Sequence, residues 1–165
     1  MKVLIFDDSE IHRKAAQVFL NDCELTIVGT YDEAEKLIKE KRLAELLSDA
    51  GYELDPFNFD GNYRKAYNET IKRAVADPAF DVVMTDLLVP ASEKEQDREG
   101  MRFAGQLMPL GTVIALLALK WGIKKVAVVT DITHHKHPAS AAFEAFIDGV
   151  FAVGDARILC ASYCM

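Results

Sequence analysis

Asp81-Val82-Val83-Met84-Thr85-Asp86-Leu87-Leu88-Val89-Pro90 is a short apolar run that closes on a carboxylate and then a proline. Its length, with β-branched Val82, Val83 and Thr85, predicts a strand buried on both faces, as in a parallel sheet. Asp86 then stands at the strand's carboxyl end, where ligands bind in open α/β sheets. Two readings attach to it: a site residue, or a cap for the next turn, a post Asp often takes. The choice depends on what the neighbouring strands bring to the same edge.

Upstream, Lys2–Phe6 reads as a first strand that delivers Asp7 and Asp8 to its end. Adjacent carboxylates repel unless a cation or hydrogen bonds compensate them, so the pair is either a divalent-metal site or a helix cap beside a solvated acid. Ser9 is placed to cap a helix carrying Ile11, Ala15, Val18 and Phe19. Glu24–Val28 reads as a second strand, and Thr30 with Glu33 forms a capping box for a helix with Ala34, Leu37 and Ile38 inward. Its apolar phase slips before Leu43, which predicts a bend or an extension past the sheet. A loop from 52 to 62 and a helix with the stripe Tyr63, Tyr67, Ile71, Val75 follow. A stripe at that spacing is a packing face before it is a docking surface.

Downstream, 91–100 is a charged loop above Asp86, a helix begins over 101–107, and 113–119 is apolar on every side. A helix without a polar face is buried in its own core or against a partner, so a homodimer through the 101–121 helix is one expectation. Residues 124–130 form a strand ending in Thr130. The loop after it holds His134, His135, Lys136 and His137, without HxxxH spacing or a cysteine pair, and reads as solvated. Ser140 opens another helix, 150–153 forms a fifth strand, and the tail from 156 supplies an edge strand or a short helix.

Composition bounds the function. The chain has 165 residues, 50% hydrophobic and 27% charged, a balance that suits one folded domain and excludes disorder. A net charge of −7 argues against a nucleic-acid surface and fits cation binding at clustered carboxylates. The N-terminal strand turns acidic at Asp7 and has no small-residue cleavage site, which is unlike a signal peptide. The most apolar region, 107–119, is interrupted by Pro109 and Gly111 and falls short of the ~20 residues of a membrane span. Cys23, Cys160 and Cys164 are an odd number with no CxxC pair, so reduced thiols in a cytoplasmic protein are expected.

Five strands alternating with helices predict a doubly wound parallel sheet with right-handed crossovers. An acidic pair after the first strand (Asp7, Asp8), a lone Asp after the third (Asp86), a proline four residues on (Pro90) and a hydroxyl after the fourth (Thr130) resemble a response-regulator receiver domain. Glu99-Gly100 resembles that family's Asp-Gly opening of the third helix, displaced by a loop. The resemblance implies an α/β, flavodoxin-like fold with a five-stranded parallel sheet in the order 2-1-3-4-5. It implies a single domain over 1–165, with a helical insertion at 51–80 and an atypical tail from 155. Asp86 would be the phosphoacceptor. Mg²⁺ would be held by Asp7, Asp8, Asp86 and the backbone carbonyl of Leu88, and Thr130 would sense the phosphoryl group.

The implied partners are a sensor histidine kinase or phosphotransfer protein and a downstream protein target, and no enzymatic turnover is implied. One departure stands out. The family has Lys-Pro after the fifth strand, whereas Gly154-Asp155 stands here and no lysine follows Val153. That favours, as an alternative, a receiver-like interaction module that is not phosphorylated. A Mg²⁺-dependent phosphohydrolase of the haloacid-dehalogenase kind ranks last, because the second Asp it needs two residues after its nucleophile is Ser9 or Leu88 here.

Overall fold

The computed structural model describes residues 1–94, 96–131, 138–147 and 149–162. The run that ends at Asp86 is β3 (Val82–Asp86), parallel to β1 (Lys2–Phe6) on one side and to β6 (Lys125–Thr130) on the other. Beyond β1 lies β2 (Glu24–Val28), and beyond β6 lies β8 (Ala156–Ser162), both also parallel. The sixth strand, β7 (Gly149–Val153), runs antiparallel to β8 at the edge, so the order is β2-β1-β3-β6-β8-β7. The fold is therefore α/β with a mostly parallel sheet.

The expected five strands in the order 2-1-3-4-5 are corrected to six. Residues 150–153 do not form the fifth parallel strand. They pair antiparallel with the tail, and the tail supplies the strand that inserts against β6. The cause is the turn: only Gly154 and Asp155 separate Val153 from its partner Ala156, and Gly154 sits at φ 62°. A two-residue link with glycine at positive φ closes a hairpin and is far too short for a parallel crossover. Gly154-Asp155 thus marks a hairpin turn and does not follow the last parallel strand. The residues after β8, with Tyr163 and Cys164, lie outside the described residues, as does the loop with His134, His135, Lys136 and His137.

The helices are α1 (Glu10–Phe19), α2 (Tyr31–Asp49), α3 (Gly61–Ala76), α4 (Leu110–Lys120) and α5 (Pro138–Phe143). The capping box forms as expected: Thr30 Oγ1 accepts from the Glu33 N–H at 3.3 Å and donates to Glu33 Oε2 at 2.8 Å. The slip in α2 has a physical reason. Ala34 and Ile38 pack in the sheet core, while Leu43, Leu46 and Leu47 are buried further along, where α2 meets α3. Tyr63 is buried, stacks on Tyr67 and accepts the Asp55 N–H through its hydroxyl at 2.8 Å, so the tyrosine stripe is packing.

Two local expectations are corrected. No α-helix starts at 101. Gly100–Phe103 is a single 3₁₀ turn, and Leu107–Met108 (β5) pairs antiparallel with Val89–Pro90 (β4), so the long helix begins only at Leu110. Pro109 stops any helix from running through from 101. The helix at Ser140 already begins at Pro138, which suits the first helical position.

Residues paired across parallel strands share a face. Leu4, Phe6, Val83, Val126, Val128 and Cys160 line one face, which packs with Ala34, Ile38, Ile114, Ala115, Ala118 and Phe143 into the core. The right-handed β1–α1–β2 crossover puts α1 on the opposite face, over Val3 and Ile5. No residue of α1 is buried, and its Ile11, Val18 and Phe19 are exposed.

Candidate functional site

Because β1, β3 and β6 are parallel, their carboxyl ends lie side by side, and each ends next to an acid. Asp7 follows β1 directly; Asp86 is the last residue of β3 and registers with Val129 of β6; Asp131 follows β6. Ligand oxygens of Asp7, Asp8 and Asp86 all lie within 4.8 Å of one another. The three acids singled out in the sequence are thus brought together. Leu88 lies two residues beyond Asp86, its side chain in the core. Thr130, the last residue of β6, is 1% exposed.

Each acid is positioned by the backbone around it. Asp7 Oδ1 accepts the Ser9 N–H at 2.8 Å, so Asp7 satisfies the turn into α1, while Ser9 itself makes no side-chain cap bond. Arg13 Nη1 donates to the Asp7 carbonyl at 2.7 Å, fastening α1 to the end of β1. Asp86 Oδ1 accepts the Leu87 N–H at 2.6 Å. The sequence reading missed Gly111. The first turn of α4 approaches so closely that a Cβ at Gly111 would sit 1.8 Å from the Asp86 carbonyl oxygen. This glycine fixes α4 against the acidic strand end, aided by the Gly111 N–H donating to Leu87 O at 3.2 Å, whereas Gly100 lies in the separate 3₁₀ turn.

The acids crowd one another. Burial, then repulsion from Asp7, pushes the Asp86 carboxyl up to about 7; the Leu87 N–H opposes this, and Asp8 and Asp131 add to it. Burial likewise raises Asp7 above the usual carboxylate range, against the pull of the Ser9 N–H and His12. His12 was also missed. Its Nδ1 lies 3.2 Å from Asp7 Oδ2 and its Nε2 3.5 Å from Asp131 Oδ2, so one imidazole spans the ends of β1 and β6. The available signal was helical spacing, which puts His12 one turn into a helix that starts beside Asp7 and Asp8. A charged cleft of about 330 Å³ lies along α2, lined by Asp32, Glu35, Lys36 and Lys94 among others, away from these acids.

The chemistry of the edge follows from its donor set. Three carboxylates within reach of one point, two of them half-buried, supply hard oxygen ligands of the type Mg²⁺ takes, and none of the soft sulfur donors that select other metals. A half-buried carboxylate at the end of a parallel strand is also a nucleophile open to solvent on one side. Comparison with protein-family models, curated proteins and solved structures gives no match. No helix among the described residues is long and apolar enough to cross a membrane.

Proposed function

We propose that the protein is a receiver-type signalling domain whose Asp86 accepts a phosphoryl group from a sensor histidine kinase or phosphotransfer protein and passes the signal on by protein contacts. The observation that carries this reading is the convergence of Asp7, Asp8 and Asp86 within 4.8 Å at the carboxyl ends of parallel strands. The five mutually parallel strands, β2-β1-β3-β6-β8, support a flavodoxin-like core to which β7 has been added.

In the reaction, a carboxylate oxygen of Asp86 attacks phosphorus and forms an acyl phosphate. The phosphorus–nitrogen bond of the donor breaks, and its electron pair stays on the departing imidazole, which takes a proton from water. Asp86 must be deprotonated to attack, and its raised pKa holds part of the population protonated at neutral pH. Asp7, Asp8, Asp86 and the Leu88 carbonyl are the groups that would hold Mg²⁺, which when bound supplies positive charge to the site and favours the ionised carboxylate. Thr130, one strand over, carries the hydroxyl that would bond a phosphoryl oxygen.

The competing reading, an interaction module that is not phosphorylated, draws support from Asp131, a further acid at the same edge that repels an incoming phosphoryl group. The test is intact-mass analysis after incubation with Mg²⁺ and acetyl phosphate, with Asp86→Asn alongside. A phosphate adduct on the native protein and none on the variant is expected. No adduct on native protein that binds Mg²⁺ would replace this reading with the interaction module.

A further inference from the structure

We propose that β7 is a self-association edge: two copies pair β7 with β7 antiparallel about a two-fold axis and join their six-stranded sheets into one. The inference starts from sequence. Gly149-Val150-Phe151-Ala152-Val153 carries no charge and no proline, and all five residues register against β8 without a bulge. Edge strands are ordinarily blunted by lysine, proline, a bulge or a covering element, because their outward N–H and C=O groups template another strand. β7 has none of the first three, and it ends the sheet among the described residues.

Side chains point the same way. Val150 is 65% exposed on one face and Val153 51% on the other, and Leu159, which registers with Val150, is 41% exposed. The other edge, β2, opens on Glu24, and its remaining four residues are all half-buried.

Charge selects a second copy as the occupant. At a net −7, most of this surface repels its own kind, but the strand itself is neutral, and Asp155 at its turn is ion-paired with Lys124. Two-fold pairing sets this strand against itself, apolar on apolar, with no like charges opposed between residues 149 and 153. An antiparallel neighbour also continues the direction that β7 has already adopted beside β8.

The test is sedimentation velocity over a wide concentration range, with peptide-level hydrogen exchange. The native protein should form a dimer, with protection of 149–153 that grows with concentration. Val150→Lys and Val153→Lys, on opposite sides of the strand and both solvent-exposed, should each weaken dimerisation about tenfold or more while leaving the far-ultraviolet circular dichroism unchanged. Leu116→Lys, on the exposed side of α4, should leave the dimer intact. A native protein that stays monomeric throughout overturns the proposal. So does loss of the dimer in Leu116→Lys, which would place the interface on α4, or an effect of Val150→Lys alone, which would mean that two sheet faces stack.

Discussion

The two faces of the sheet are built to different standards. On one, Leu4, Phe6, Val83 and Val128 are at most 2% exposed beneath α2 and α4. On the other, α1 lies over Val3 and Ile5 without burying any residue of its own, and Phe19 is 81% exposed. Val3 and Ile5 are buried too, at 2% and 6%, but hydrophobic burial scales with the apolar area removed from water, so the first face, with its covering helices buried as well, carries more of the stability. Asp7, Asp86 and Asp131 share strand parity with Ile5, Met84 and Val129, on the lightly covered side. The acids therefore sit on the side whose covering helix buries none of its own residues, where a shift of α1 costs little.

The largest effect should come from truncating the same residue type on each side. Phe6→Ala is expected to lose about 3–5 kcal/mol in urea denaturation, and Phe19→Ala less than about 0.5 kcal/mol. Comparable losses at both positions would mean that α1 is held far more firmly than its exposure implies. Next comes the contact that ties the packed face to the acids. Gly111→Ala forces α4 away from the Asp86 carbonyl, at about 1–3 kcal/mol by the same denaturation, and should also weaken Mg²⁺ binding measured by calorimetry. An unchanged Mg²⁺ affinity would show the two to be independent.

The smallest effect tests the acids themselves. The folded state holds the Asp86 proton up to about pH 7, whereas the unfolded chain releases it near its ordinary value of 3.8. Between those values the folded state binds more protons, so its stability falls as pH rises and levels off above the upper one. Asp86→Asn, neutral at every pH, should stabilise the metal-free protein by about 1–2 kcal/mol above that window and by almost nothing below it. Thermal melts at both ends, with and without Mg²⁺, check this, and Mg²⁺ should shrink the difference by stabilising the native carboxylate.

Much of this was legible because it is local. The acids at strand ends, the Thr30–Glu33 cap and the tyrosine stripe each follow from a few adjacent residues. The edge of the sheet was misread because 150–153 follows a helix, as a parallel strand does, although glycine followed by Asp between two short apolar runs is itself a hairpin signal. Residues 101–107 were misread for a related reason: Pro109 and Gly111 punctuate the segment, and the helix starts only there. His12 and Asp131 approach each other from elements over a hundred residues apart in the chain, a proximity that no periodicity encodes.

The position of β8 has a consequence for assembly. The strand made from residues 156–162 does not cap the sheet; it wedges between β6 and β7. While the chain is being synthesised, β7 has no sheet partner until those residues emerge. The tight turn at Gly154 then lets β7 and β8 zip together as a local hairpin, with little entropy lost to loop closure. Docking of that finished hairpin onto β6 would be the late, long-range step, and until it occurs the growing protein displays the unpaired edge of β6 to every neighbouring chain.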